Sequence, residues 1–110
     1  MKELLENANE FIESGEENLI KKRYNAATAD FFRASSNICD YIIYQDTKII
    51  PKNHNERFQL LKKYFTEIYE KIYELFKTYR ESYNLKMKKQ DAEKIKKYCY
   101  ELKNTIRNKK

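Results

Sequence analysis

Residues 53–84 read NHNERFQLLKKYFTEIYEKIYELFKTYRESYN, and this stretch decides the fold that the sequence predicts. It contains no Gly and no Pro, and its apolar residues recur mostly at steps of three and four, which places them on one face of a helix. The stripe comprises Phe58, Leu61, Phe65, Ile68, Ile72, Leu75, Phe76 and Tyr79. We therefore predict one uninterrupted helix of roughly 45 Å, at about 1.5 Å per residue, which the other segments must cover.

Three further helices are predicted, over about residues 2–21, 25–44 and 91–106. The first contains the single Gly, Gly15, so we expect either a bend or a close helix approach there. The second has apolar residues on more than one face and should be the most buried. Pro51 ends the loop before the long helix, and Asn53 is the expected N-cap, with Asn55 as an alternative. The fold class that follows is an all-α, up-and-down four-helix bundle with one long third helix, as one domain over residues 1–110.

Composition narrows the class of protein. One Gly and one Pro in 110 residues leave too little turn chemistry for a sheet protein. The formal net charge of +6 is compatible with a nucleic-acid partner. AT-rich coding produces the same bias without any ligand, since Lys, Asn, Ile and Tyr are all abundant, so the charge alone does not establish such a partner.

No apolar run is long enough to span a membrane, and the acidic N-terminal segment does not resemble a signal peptide. The two cysteines, Cys39 and Cys99, lie within helical patterns and are expected to be buried, reduced thiols. With one His and no CxxC motif, the sequence predicts no metal site, and it predicts no cofactor. These features favour a cytoplasmic protein without a membrane partner.

Helices with short connections should alternate in direction. The starts of the second and last helices would then lie beside the end of the long helix, forming one basic, Tyr-containing end. Its expected phosphate-binding residues are Lys22, Arg23, Arg80, Tyr83, Lys86, Lys88 and Lys89. His54 and Arg57 would lie at the opposite end of the long helix, about 39 Å from Arg80. We therefore expect His54 and Arg80 to share a site only across two subunits, whose long helices would pair antiparallel about a two-fold axis.

Several short segments, taken together and in order, resemble one family. Lys22-Arg23-Tyr24 followed by Ala27 is similar to the G-R-Y-x-x-A start of the second helix in HEPN domains, with Lys in the Gly position. Residues 51–54 (PKNH) resemble the K-[TS]-H-S element of small archaeal and bacterial HEPN proteins. Residues 80–83 (RESY) resemble their R-x-x-[AS]-D-Y element without the Asp, and residues 89–92 (KQDA) resemble the start of their last helix.

The resemblance implies a bundle of four or five helices that is often dimeric. Many HEPN proteins are RNases or toxins paired with a nucleotidyltransferase-like antitoxin, and others bind RNA or nucleotides without cleaving them. The catalytic members carry an Arg followed four to six residues later by His. Here Arg80 is followed by Leu85 and Lys86 at the last two of these positions, and no His lies in range.

The candidate catalytic residues are Arg80, Tyr83 and His54. Arg80 and Tyr83 share a helix face, where they could hold a phosphate and a nucleotide. Alternatively, Tyr83 is buried and Arg80 pairs with a carboxylate such as Asp30. His54 is expected to cap or pack locally. Metal-free RNA cleavage needs a base and an acid, and these residues supply them poorly.

Five further tyrosines are not all on the predicted core stripes: Tyr64, Tyr69, Tyr73, Tyr98 and Tyr100. Exposed Tyr beside Lys can stack on bases, but Tyr is also enriched at protein interfaces, and we favour a homodimer interface.

The function that the sequence favours is a non-catalytic or degenerate HEPN module that binds RNA, a nucleotide or a partner protein through its basic end. An RNase toxin with a nucleotidyltransferase-like partner is the first alternative. A structural helical adaptor without a ligand is the second.

Overall fold

The structure is a computed structural model that describes residues 1–108, and within them it is all-helical. Five helices follow one another: α1 (Lys2–Ile20), α2 (Tyr24–Thr47), α3 (His54–Tyr64), α4 (Thr66–Glu81) and α5 (Lys89–Asn108). The predicted α-helical class is confirmed, and the first, second and last helices lie close to their predicted ranges. The structure has five helices rather than the four predicted, because the predicted long third helix is two helices, α3 and α4.

The helix α2 is the centre of the bundle. It contacts each of the other four helices, and its buried residues include Ala27, Phe31, Phe32, Ile38 and Ile43. This confirms the prediction that it is the most buried helix, and its apolar residues on several faces explain why it can pack against neighbours on all sides.

The prediction of one continuous helix over residues 53–83 is wrong. Phe65 adopts a non-helical conformation, with φ −141° and ψ 65°, and this single residue separates α3 from α4. A continuous helix of roughly 45 Å would also exceed the longest dimension of the molecule, which is 38 Å. The break lets α4 fold back along α3, so that the Phe58 ring packs against Tyr73 and Phe76 of α4.

Asn53 caps α3 as predicted, because its side chain accepts a hydrogen bond of 2.9 Å from the backbone N–H of Glu56. The two thiols also follow the prediction. Cys39 and Cys99 are buried and unpaired, and burial raises the pKa of Cys99 to about 11. Burial raises the pKa of Cys39 as well. Both thiols are therefore unreactive at neutral pH.

Gly15 marks a close helix approach rather than a bend. A Cβ built on residue 15 would lie 2.8 Å from two atoms of the Phe31 ring, and Phe31 is fully buried. The α1 helix can therefore reach α2 only because this position has no side chain.

We expect Gly15→Ala to lower the free energy of unfolding by about 1–2 kcal/mol. Overpacking a tight core costs about 1–3 kcal/mol, which exceeds the gain in helix propensity of up to about 1 kcal/mol. Urea denaturation followed by circular dichroism measures the change. The control is the same Gly15→Ala change made in a Phe31→Leu background, where it should cost less than in the wild type because residue 31 is smaller. A more stable Gly15→Ala variant would contradict the close approach.

Candidate functional site

The start of α2 and the segment after α4 are joined by one side chain. The Asn25 amide nitrogen donates to the carbonyl oxygens of Ser82 at 2.8 Å and Leu85 at 2.7 Å. The Asn25 amide oxygen accepts from the backbone N–H of Met87 at 2.9 Å. Both N–H groups of this amide and one lone pair of its oxygen are thus used to hold residues 82–87 against α2.

Most of the predicted basic end is brought together at this junction. Lys22, Arg23, Tyr83 and Lys86 line one open groove of about 560 Å³. Lys89 lies beside Lys22 in a neighbouring groove of about 370 Å³. We call these five residues, together with the exposed Lys88, the basic end. The structure therefore gathers residues from three parts of the sequence at one end of the molecule.

The cations of the basic end are available for a ligand. Lys22, Arg23 and Lys86 are exposed, and none of the ion pairs within residues 1–108 uses them. Nearby, Lys21 pairs with Glu17 at 2.7 Å, an exposed contact of little energetic weight. Exposed cations around one groove create a positive surface potential that attracts a polyanion.

Arg80 does not line that groove. Its guanidinium carbon lies 5.5 Å from the centre of the Phe76 ring. The His54 ring lies on the same residue, with its centre 5.0 Å from that of Phe76. The expectation that His54 and Arg80 could meet only across two subunits is therefore wrong, because the break at Phe65 returns α4 to the start of α3 within one chain.

Tyr83 also belongs to this neighbourhood. Its hydroxyl lies 2.7 Å from the hydroxyl of Tyr79, whose ring centre is 6.3 Å from that of His54. The hydrogen bond to Tyr79 raises the pKa of Tyr83, which therefore stays protonated at neutral pH. Tyr83 is 65% exposed, so the alternative of a buried Tyr at this position is wrong. We call His54, Phe76, Tyr79, Arg80 and Tyr83 the aromatic cluster.

Asp30 is not the partner of Arg80. Its carboxylate oxygen Oδ2 accepts hydrogen bonds from Ser14 Oγ at 2.7 Å and from Asn18 Nδ2 at 2.9 Å, both on α1. The pairing proposed for Arg80 and Asp30 is therefore wrong. The guanidinium of Arg80 instead lies at the surface over an aromatic ring, where it can still reach a phosphate.

A buried ion pair fixes His54. Arg57 donates from Nε to Asp40 Oδ1 at 2.7 Å and from Nη2 to Asp40 Oδ2 at 2.9 Å. Its third nitrogen, Nη1, lies 2.7 Å from His54 Nδ1. Because a guanidinium can only donate, His54 Nδ1 must accept, and the neutral ring carries its proton on Nε2. Burial and the charge of Arg57 both lower the pKa of His54.

This protonation state limits the chemistry of the aromatic cluster. His54 Nε2 and Arg80 can only donate, and the Tyr83 hydroxyl is protonated at neutral pH, whereas a general base needs a lone pair that readily takes up a proton. The arrangement is suited to binding an anion. The sequence pointed to His54, Arg80 and Tyr83, but it did not reveal that Asp40 and Arg57 hold His54. The sequence signal that could have revealed this pair is Asp40, because a carboxylate within the most apolar helix is a buried charge and needs a partner.

We expect the single histidine to titrate with a pKa below its usual value of about 6.5. Because the folded-state pKa is lowered, the stabilisation from neutral His54 is present above the unfolded-state pKa and lost as the pH falls through the folded-state pKa. NMR titration of the one histidine Hε1 resonance measures the pKa. Arg57→Gln should raise it by removing the adjacent charge. A midpoint above the usual value would contradict the hydrogen bond to Nδ1.

Within residues 1–108 no helix combines the length and the apolar character needed to cross a membrane. The same part of the chain contains no group of three or more His, Cys, Asp or Glu residues that could hold a metal ion. Comparison of the chain with protein-family models, with curated proteins and with solved structures found no match.

Proposed function

We propose that this chain is a HEPN-type helical module of the cytoplasm that binds RNA or a nucleotide through its basic end. The observation that carries the proposal is the convergence of Lys22, Arg23 and Lys86 around one groove, with no carboxylate paired to them within residues 1–108. Phosphate is the ligand group that such a set of exposed cations attracts most strongly. Arg80 and Tyr83 extend this surface toward the aromatic cluster.

The backbone of Lys22 supports the HEPN resemblance. Its φ is 59°, a left-handed conformation that glycine adopts without strain and most residues avoid. Lys22 stands where the G-R-Y motif has its Gly. The turn between α1 and α2 thus has the geometry that would explain a Gly at this position of the motif, and five helices fall within the range of the family.

Binding is tested with a labelled single-stranded RNA in a fluorescence polarisation titration at several salt concentrations. Contacts to about four phosphates give a slope of about −3 in a plot of log K against log salt, at about −0.7 per phosphate. Lys86→Glu should weaken binding several-fold and flatten the slope. Lys2→Glu is the matched control, since Lys2 is exposed at the far end of α1.

The proposal fails if no RNA or mononucleotide binds at low salt. That result would favour the structural adaptor without a ligand. Equal losses in Lys86→Glu and Lys2→Glu would show that net charge, rather than the basic end, attracts the RNA.

RNA cleavage is the second candidate function, and one observation favours it. His54 and Arg80 both contact the Phe76 ring, so a histidine and a phosphate-binding cation share one surface within one chain. Cleavage would require the His54 proton to move from Nε2 to Nδ1, so that Nε2 can accept a proton from the RNA hydroxyl, and this change opposes the hydrogen bond from Arg57 to Nδ1. The toxin hypothesis would add a nucleotidyltransferase-like partner protein.

A cleavage assay in a metal chelator distinguishes the two functions. An RNase at this site loses its activity in both Arg80→Ala and His54→Gln, while RNA affinity changes little in His54→Gln. Cleavage that is equal in the wild type and both variants comes from a contaminant. Absence of cleavage in a preparation that binds RNA supports the non-catalytic module.

The homodimer that the resemblance implies is part of the same proposal. Of the five tyrosines assigned to its interface, Tyr98 and Tyr100 are partly buried within the chain, and the Tyr100 hydroxyl donates to Glu16 at 2.6 Å. Of the remaining three, Tyr64 on α3 is 50% exposed, and the dimer that we propose uses Tyr64 rather than Tyr69 and Tyr73 of α4. Sedimentation equilibrium measures the oligomeric state, and a mass of one chain at micromolar concentration would exclude the dimer.

A further inference from the structure

Two tyrosines of α4 stand together over a buried phenylalanine. The rings of Tyr69 and Tyr73 are stacked, with centres 5.7 Å apart and planes at 25°. The Phe58 ring meets both of them edge-on, at 6.4 Å and 5.5 Å, and Phe58 itself is buried. Tyr73 is 43% exposed, so one of the stacked rings is open to solvent while its neighbours hold it in place.

Each of these tyrosines has a lysine over its ring. Lys62 Nζ lies 5.9 Å from the centre of the Tyr69 ring, and Lys77 Nζ lies 5.6 Å from that of Tyr73. Neither lysine takes part in an ion pair within the described residues. We call Tyr69, Tyr73, Lys62 and Lys77 the tyrosine face. It combines flat, rigid rings with positive charges that no carboxylate of residues 1–108 neutralises by direct contact.

The glutamates of α4 are centred away from the tyrosines. Glu67, Glu70 and Glu74 are centred roughly 110° around the axis from Tyr69 and Tyr73, at about 100° per residue. Glu74 accordingly pairs with Lys94 of α5 at 3.1 Å. Lys77 lies between the two groups, and its charge adds to the larger effect of Lys94 in lowering the pKa of Glu74, but Lys77 forms no ion pair within the described residues.

The tyrosine face continues to the basic end. Tyr69, Tyr73, Phe76, Arg80 and Tyr83 follow at steps of four, three, four and three, so they form one stripe along α4 and the turn after it. The distance from the first to the last is about 21 Å at about 1.5 Å per residue. A chain lying along this stripe would reach the groove that Tyr83 shares with Lys86.

A second copy of this protein is a poor occupant of this surface. In a symmetric dimer the same patch lies on both sides, so Lys62 and Lys77 would face lysines of the other copy. A polyanion with exposed bases matches both parts of the surface, because its phosphates neutralise lysines and its bases stack on tyrosines.

We propose that the tyrosine face is a base-stacking track for single-stranded nucleic acid, whose strand continues into the basic end. This inference rests on the proposed function. It adds that the bases are unpaired, since a paired base within a duplex does not offer its flat surface to a tyrosine. It also adds that the face binds with little sequence preference, because every base has a flat surface.

The chain contains no Trp, which allows a direct test. Tyr73→Trp places a single indole ring in the tyrosine face, and Glu10→Trp places one at an exposed position of α1 as the control. We expect an oligouridylate of about 12 nucleotides to quench the indole fluorescence of the Tyr73→Trp variant and to leave that of the Glu10→Trp variant unchanged. A blunt duplex RNA of the same length should quench neither variant.

The outcomes separate this inference from the proposed function. If polarisation shows that the oligonucleotide binds and the Tyr73→Trp variant is not quenched, the stacking track is wrong and the proposed function stands. If no oligonucleotide binds, both are wrong. If the emission of the Tyr73→Trp variant shifts to shorter wavelength with protein concentration alone, a second copy covers the face and the stacking track is wrong.

Affinity provides an independent measurement. Tyr73→Ala should weaken oligouridylate binding about tenfold, the loss expected when one base loses its stacking partner. Tyr44→Ala is the matched control, since Tyr44 also has a lysine over its ring, Lys48 at 5.3 Å, but lies on α2. Equal affinities of the two variants would overturn the proposal.

Discussion

Replacing Arg57 with Leu should lower the free energy of unfolding by about 3–5 kcal/mol, because it leaves the Asp40 carboxylate buried without its partner. Asp40 is only 5% exposed, and both of its oxygens are hydrogen-bonded by Arg57. The loss is large because the penalty for burying the remaining charge is added to the loss of the pair. Urea denaturation at neutral pH measures it.

The double variant Asp40→Leu/Arg57→Leu separates the two contributions. With neither charge present, most of the lost stability should return, since apolar residues can replace a buried ion pair at little cost. Asp40→Leu alone should resemble Arg57→Leu because it strands the guanidinium. Additive effects of the two single substitutions would contradict a direct pair.

The pH dependence of the Arg57→Leu variant follows from the same pair. Burial raises the pKa of Asp40, and the charge and hydrogen bonds of Arg57 oppose that shift. Without Arg57 the folded-state pKa lies further above the unfolded-state value of about 3.9. Stability is then greatest below that value and is lost as the pH rises through the folded-state pKa. The difference in stability between the variant and the wild type should therefore shrink on acidification.

The second large effect is expected for Asn25→Leu, which removes all three hydrogen bonds between the Asn25 side chain and residues 82–87. We expect a loss of about 2–4 kcal/mol in the free energy of unfolding, at about 0.5–1.5 kcal/mol per bond. RNA affinity should fall as well, because Lys86 would no longer be held beside Lys22 and Arg23. Urea denaturation and the polarisation titration measure the two changes.

Two other asparagine variants test whether the lost hydrogen bonds of Asn25 cause this loss of stability. Asn25→Asp keeps the acceptor for the Met87 N–H but places a carboxylate against two carbonyl oxygens, so it should be destabilising too. Asn9→Leu changes an exposed asparagine of α1 in the same way, and should alter stability by less than about 0.5 kcal/mol. An Asn25→Leu variant as stable as Asn9→Leu would show that the junction does not depend on Asn25.

The helices themselves could be predicted because their apolar residues follow the helical period. The break at Phe65 could not, because Phe65 lies in phase with the stripe and no Gly or Pro marks the position. The local sequence at Phe65 favours a continuous helix. The packing of Phe58 against Tyr73 and Phe76 requires the break and outweighs this local preference.

The candidate site also has one part that could be predicted from the sequence and one part that could not. The meeting of Lys22 and Arg23 with Tyr83 and Lys86 could be predicted, because short connections between helices were expected to bring these segments together. The meeting of His54 with Arg80 depends on the break, so the sequence placed them at opposite ends. Local packing of His54 was predicted correctly, since its partner Arg57 lies three residues further along the same helix.

The break at Phe65 also determines how many residues separate the groups that come into contact in this region. Loop-closure entropy rises with the number of residues between two contacting groups, so contacts across Phe65, such as Phe58 with Tyr69, are among the least costly to form. The α5 helix must instead find α2 across the whole of α3 and α4. The aromatic cluster and the tyrosine face therefore form from residues that lie close together in sequence. The bundle is complete only when α5 packs against α2.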